Sequence, residues 1–182
     1  MKLLLSILII CFISVNTHAQ KKKKTEINLT NALVVGQFDN PEDRYLMEIA
    51  LTELFTQNEV KAIPSLNILK LGESAEKLLN DSVQGIISSK KIDTYVIVSV
   101  RGYDRKFKPS ETQPSYETAI VNGNIYGLYQ PDIVSVSFDF KFYRNGVCVH
   151  NEIIKCGGVG DRDSVLKKFR KKVKKRIVKR WI

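Results

Sequence analysis

Apolar residues recur along this chain in three rhythms, and each predicts a different element. Leu33 to Phe38 is a short, nearly unbroken apolar run of the kind that forms a buried strand. Asn40 then offers an N-cap, Pro41 suits a first helical position, and Glu42 and Asp43 complement the helix dipole. Leu46, Ile49, Ala50 and Leu54 follow at helical spacing, which predicts a helix with one buried face. Residues 59–65 predict a second strand, and Pro64 places it at a sheet edge or at the end of its ladder. A second helix is expected from Ser74 to about Ser89, with Leu78, Leu79, Val83, Ile86 and Ile87 inward. The apolar run in 93–100 predicts a third, central strand.

A strict alternation comes next. Val134, Val136, Phe138, Phe140 and Phe142 are interleaved with Ser135, Ser137, Asp139, Lys141 and Tyr143, ahead of Asn145-Gly146. That is a β-hairpin about a type I′ turn. A two-residue turn sets Phe142 opposite Val149 and Phe138 opposite Ile153 on the core side. It pairs Lys141 with His150 and Asp139 with Glu152 on a face that then needs water. The predicted order is β-α-β-α-β, a loop, the hairpin and a C-terminal helix. This is an α/β (α+β) fold with a mixed sheet of about five strands and helices mainly on one face.

Residues 102–132 break the rhythm with three of the five prolines and four of the seven tyrosines. They read as a mobile loop with one short strand near Thr118 to Val121, and a loop this long in a compact domain is functional or disordered. Tyr103, Tyr116, Tyr126 and Tyr129 are its candidate partner-binding residues.

The last segment, 163–182, predicts an amphipathic helix capped by Asp163. With Leu166 at 0°, Phe169, Val173, Ile177 and Trp181 fall in a stripe about 120° wide. Arg170 and Arg180 intrude on that stripe, where their stems can pack while their heads reach water. Lys167, Lys171, Lys175 and Lys179 form an i,i+4 ladder of like charge, each pair destabilising by roughly 0.2–0.5 kcal/mol. With Lys172 they are the candidates for contact with an anionic surface.

Charge sharpens this picture. The formal net charge is +10, yet residues 161–182 alone carry eleven Lys/Arg against two Asp, and residues 25–160 carry thirteen basic against seventeen acidic side chains. The chain is a mildly acidic body with basic ends, the other end being Lys21–Lys24.

Residues 1–19 read as a signal peptide: Lys2 precedes an apolar run too short to span a bilayer, and Thr17 and Ala19 occupy the −3 and −1 positions of a cleavage site. Export, cleavage after Ala19 and a periplasmic or envelope location are therefore expected. Cys11 follows Ile10 inside the apolar run, which is no lipidation site. A basic flexible segment, 20–30, precedes a single domain at 31–182.

Candidate chemistry is sparse. Cys148 and Cys156 lie eight residues apart on one predicted strand, about 26 Å, well beyond the roughly 7 Å Cα limit of a disulfide. His150 is the one histidine beyond residue 19, and its expected place mid-strand, paired with Lys141 on the water-facing side, is that of a surface residue rather than the base of a triad. Cys148 and His150 share a face in the predicted strand but lack the further ligands zinc needs. No metal and no cofactor are expected. Neither "GNIYG" nor "CGGVG" joins a strand to a helix with phosphate-loop spacing. A ligand, if bound, belongs beyond the carboxyl ends of the parallel strands, where Asp39, Asn40, Ser65 and Arg101 are expected. Export and the lack of an aromatic-studded sheet motif argue against nucleic acid.

Arg44 and Glu48 at helical spacing, the Val60-x-Ala62-x-Pro64-Ser65 strand, and the Tyr126 to Tyr129 insert before a long hairpin resemble small uncharacterised bacterial envelope proteins. More remotely, residues 31–160 are similar to the TolB amino-terminal domain and to curli-secretion and penicillin-binding-protein-activator lipoproteins. Asn58-Glu59 departs from their pattern, which often turns on glycine. The resemblance implies a non-catalytic envelope domain, with a protein partner or an anionic membrane or glycolipid surface as its target, and supplies no catalytic residues.

Overall fold

The computed structural model describes residues 27–123 and 125–182. The expected signal peptide and Lys21–Lys24 lie outside the described residues. Five strands, β1 (Asn31–Gln37), β2 (Lys61–Pro64), β3 (Thr94–Tyr103), β4 (Ser135–Arg144) and β5 (Val147–Gly157), form one mixed sheet in the order β2-β1-β3-β4-β5. β2, β1 and β3 are parallel, and β3, β4 and β5 antiparallel. The β2 ladder ends at Pro64, on an edge.

The helices are α1 (Pro41–Thr56), α2 (Asp81–Ser89), α3 (Tyr116–Val121) and α4 (Arg162–Arg176). The two long ones, α1 and α4, share one face of the sheet and close the larger core. The other face is covered as well: Leu78, Ile87, Tyr116, Ala119 and Ile120, from the shorter helical segments, pack on Leu33, Val35, Ile97 and Tyr143.

Asn40 Oδ1 accepts from Glu42 N at 2.8 Å and caps α1, with Pro41 at its first turn. Its inner face is rotated from the expected one: Met47, Leu51, Leu54 and Phe55 are buried, while Leu46 and Ile49 are half-buried flanks. The expected helix from Ser74 divides into a 3-10 turn, Ala75–Leu79, and α2, which leaves Ile86 exposed.

Residues 116–121 are helix rather than strand. Ser115 Oγ accepts from Thr118 N, a helix cap, and Tyr116 buries against Tyr95 and Tyr143 at ring separations of 4.6 and 5.7 Å. The stretch before α3 is tied to the sheet: Asp104 Oδ1 accepts from Val134 N and Ser135 N, and Asn151 Nδ2 donates to Ser110 O. Phe107 lies so close over Gly102 that a Cβ there would stand 2.6 Å from its ring.

The hairpin turns on Asn145 (φ 49°) and Gly146 (φ 76°), as expected of type I′, but its register is not the expected one. Tyr143 pairs with Cys148 and Phe142 with His150, so Val149 is an extra residue bulged from β5. Beyond it every β5 side chain changes face. Phe138 faces Ile154 and Phe140 faces Glu152, while Asp139 faces Ile153 and Lys141 faces Asn151. Glu152 and His150 therefore sit on the core side, and Cys148 faces away from His150.

α4 is capped by Asp161, two residues before the expected Asp163: Asp161 Oδ1 accepts from Ser164 N at 2.6 Å, and Ser164 Oγ accepts from Asp161 N. Val165 rather than Leu166 leads its buried row, followed by Phe169, Val173, Ile177 and Trp181. Each i+4 step overshoots a 3.6-residue turn by about 40°. The wider π-helical turn at Ile177–Trp181 returns Trp181 to the core. Of the segment 20–30, expected to be flexible, residues 27–30 are described: Ile27 and Leu29 are buried and donate to the carbonyls of Arg180 and Trp181 at 3.2 and 2.7 Å.

Candidate functional site

At the carboxyl ends of β1 and β2 lies a crevice of about 240 Å³, lined by Gln37, Phe38, Asp39 and Arg44, by residues 72–76, and by Ile120, Val121 and Ile125. Its floor is a closed hydrogen-bond set. Glu48 Oε1 accepts from Gly36 N (2.8 Å), Arg44 Nε (3.0 Å) and Ser65 Oγ (2.6 Å), and Oε2 accepts from Leu66 N (3.2 Å). Arg44 also donates to Ser65 Oγ and Glu73 O. The set clamps α1 to the ends of β1 and β2.

The four crevice candidates therefore separate. Asp39 lines the opening and is exposed. Asn40 is spent as a helix cap, and Ser65 is buried in the clamp. Arg101 is the extra residue where the β3–β4 register shifts between Val100 and Gly102, and it points to solvent away from the crevice lining.

The tyrosines separate too. Tyr116 belongs to the core, where burial pushes its hydroxyl pKa far up. Tyr103 Oη donates to Gly127 O at 2.6 Å; burial, then Asp39 and Asp43, push its pKa up to about 12. Tyr129 Oη donates to Gly160 O at 2.7 Å. Tyr126 alone of the four is exposed, edge-on to Tyr103. Three of the four hold their own segment in place.

The bulge at Val149 creates a second polar centre that alternation along the sequence gave no means of finding. Glu152 is 6% exposed. Its Oε2 accepts from Trp181 Nε1 at 3.1 Å, and Oε1 meets Arg176 Nε at 3.1 Å and Arg180 Nη1 at 3.3 Å. His150 Nε2 is 3.9 Å away. Burial works to raise the Glu152 pKa, but His150, Arg176, Trp181 and Arg180 outweigh it and hold the carboxyl below its usual value.

The last helix sorts its cations by type. All four arginines face the acidic body: Arg162 pairs with Asp43 and Glu42, Arg170 with Glu53 at 2.7 Å, and Arg176 and Arg180 with Glu152. Among the described residues none of the seven lysines of 162–181 forms an ion pair. Lys167, Lys171, Lys172, Lys175 and Lys179 are all exposed. Arginine's planar fork suits close carboxylate pairing, whereas lysine is a hydrated point charge. Between the helix and β5 lies a groove of about 310 Å³ lined by Ile153, Ile154, Lys155, Lys172, Lys175, Arg176 and Lys179.

No protein-family model matches the chain, and no curated protein matches it. Among solved structures it is similar to lipoprotein GNA1162 from Neisseria meningitidis, with 12% identity, a TM-score of 0.44, and 82% of this chain and 96% of that chain covered. It is likewise similar to two structures of the PelC dodecamer from Paraburkholderia phytofirmans. Both share 11% identity, with TM-scores of 0.44 and 0.43, and cover 82% of this chain and 89% and 87% of those chains. Likenesses at this level assign neither family nor function.

Among the described residues no helix is long and apolar enough to cross a membrane, and no three or more His, Cys, Asp or Glu side chains gather as metal ligands do.

Proposed function

We propose that this is an exported, non-catalytic protein of the cell envelope that acts by binding another envelope component, a protein, through the lysine face of α4. The sorting of cations along α4 carries the reading. Arginines meet the body's carboxylates while the exposed lysines keep their charge for something outside the domain. The apolar N-terminal segment 1–19 supports export, and the resemblance of residues 31–160 to envelope domains supports the location. The closed clamp around Glu48 supports a role without catalysis.

The second reading, attachment to anionic membrane or glycolipid, draws on the same lysines. It lacks the usual anchor: an interfacial helix buries its apolar face in lipid, and here Val165, Phe169, Val173, Ile177 and Trp181 are spent in the protein core. What remains is attraction of about 1 kcal/mol per lysine close to an anionic bilayer.

The test is capture from detergent-solubilised envelope extract by the wild type and by a variant carrying Lys167→Glu, Lys171→Glu, Lys175→Glu and Lys179→Glu. A protein retained by the first and lost by the second is expected. Equal capture by both overturns the reading. Flotation with phosphatidylglycerol vesicles in the absence of any captured protein favours the membrane instead.

A further inference from the structure

The sheet ends on β5, whose outer edge runs beside the cationic flank of α4. Among the described residues β5 pairs only with β4, so backbone groups along its eleven residues alternate between the ladder and the edge those residues leave open. Past the bulge at Val149 the β4–β5 register is uninterrupted from His150 to Gly157. Beside this regular stretch lies the groove of Ile153, Ile154 and Lys155 on the strand and Lys172, Lys175, Arg176 and Lys179 on the helix. Arg176 is engaged by Glu152; the four lysines form no ion pair among the described residues. Lys172 Nζ donates to the backbone carbonyl of Lys155, so a helix cation holds one main-chain acceptor of the strand, and an added strand would displace it there.

We propose that this groove seats an extended acidic segment of a partner protein, which adds to β5 as a further strand. The inference rests on the reading above that the lysine face is the binding surface, and it names what that surface binds. An open strand edge offers main-chain hydrogen bonds to any extended peptide. Four lysines in one groove reject cationic or purely apolar strands, and they select an acidic one. Successive side chains of an added strand point to opposite faces, so residues i, i+2 and i+4 share the α4 side. Those alternate positions carry Asp or Glu, and the residues between them carry no such demand. A lipid headgroup has the charge but no ladder of amides to match the edge.

The test titrates the intact protein, by fluorescence anisotropy, with labelled peptides of about seven residues, roughly 23 Å when extended. One alternates Glu with Val or Thr; a second has the same composition with its acids in a block. Two more keep the alternating sequence and carry backbone N-methyl groups, one on the Glu residues and the other on the residues between them. In a strand all amides of one parity face the same edge. Strand addition therefore predicts that one methylated peptide binds at least about tenfold more weakly while the other is unchanged. The blocked peptide and the Lys172→Glu, Lys175→Glu, Lys179→Glu variant are each expected to lose about tenfold as well. Two methylated peptides that both bind like the parent overturn strand addition while leaving the cationic surface intact. Equal affinity for the alternating and blocked peptides does the same. A charge-reversed variant with undiminished affinity removes both this proposal and the reading it rests on. Phosphatidylglycerol vesicles that bind where no peptide does would assign the groove to lipid and end the proposal.

Discussion

Trp181 Nε1 donates to Glu152 Oε2 at 3.1 Å, which joins the last helical turn to a carboxylate that the hairpin bulge has swung onto the core side of the sheet. Glu152→Ala deprives the indole of its acceptor and two arginines of their counter-charge. The arginines are about two-fifths exposed and rehydrate, so a loss of about 2 kcal/mol is expected rather than the larger cost of a fully buried pair. The Glu152 pKa is depressed in the folded state. Its contribution is therefore present above the usual carboxylate value near 4.5 and is lost as pH falls through the lower folded value. Urea midpoints of wild type and Glu152→Ala should differ at pH 7 and draw together below pH about 4. A gap that persists undiminished at pH 2 would refute the assignment.

The clamp under the crevice predicts the reverse of a catalytic phenotype. Glu48 is fully buried with four donors around it, and Glu48→Ala leaves Arg44 buried and without its partner. About 3–5 kcal/mol should be lost, against about 1 kcal/mol for Ser65→Ala. Thermal melts check both, and a Ser65→Ala protein that keeps its stability but loses partner capture would reopen the crevice as a functional site.

Thiol reactivity should follow burial. Burial pushes the Cys156 pKa up to about 11 despite Lys172 and Lys168 nearby, and it raises Cys148, which is only half-buried. Little thiolate forms at either residue at pH 8. In the native protein Cys148 should react slowly with iodoacetamide and Cys156 scarcely at all, with both reacting promptly in urea. Mass spectrometry of the labelled chain reads the difference, and rapid native labelling of Cys156 would contradict its placement.

The lysine ladder should cost stability that binding repays. Lys171 stands one turn from both Lys167 and Lys175, and Lys171→Glu exchanges two repulsions for two attractions. A gain of about 1–2 kcal/mol at low salt is expected, shrinking as salt screens the face. The same substitution should weaken partner capture. Stability and binding moving in opposite directions marks a surface kept basic for use, and a drop in both would mark a structural lysine.

Much of this architecture was legible in the order of residues. The unbroken runs at Leu33 to Phe38 and in 93–100 became central strands, Asn40-Pro41 started a helix, and Asn145-Gly146 turned a hairpin. What escaped was decided by single residues acting at a distance. One bulged valine, Val149, turned Glu152 and His150 inward, and nothing in the alternation of β5 announces it. The tyrosine-rich stretch looked like a loop because its ordering contacts are long-range: Tyr129 to Gly160, Asn151 to Ser110, Val134 to Asp104. Arg44 and Glu48 were visible as an i,i+4 pair, but their role depended on Ser65 and Gly36 arriving from two strands.

α4 is held at both extremities, by Asp161 and the Arg162–Asp43 pair at one and by Leu29 and Glu152 at the other. Its charges thus form a ruler of fixed pitch, with marks about 6 Å apart from Lys167 to Lys179 over some 18 Å. A molecule whose negative groups repeat at that interval can meet it without the helix backbone first having to be ordered. Spacing, as much as sign, becomes a criterion for admission.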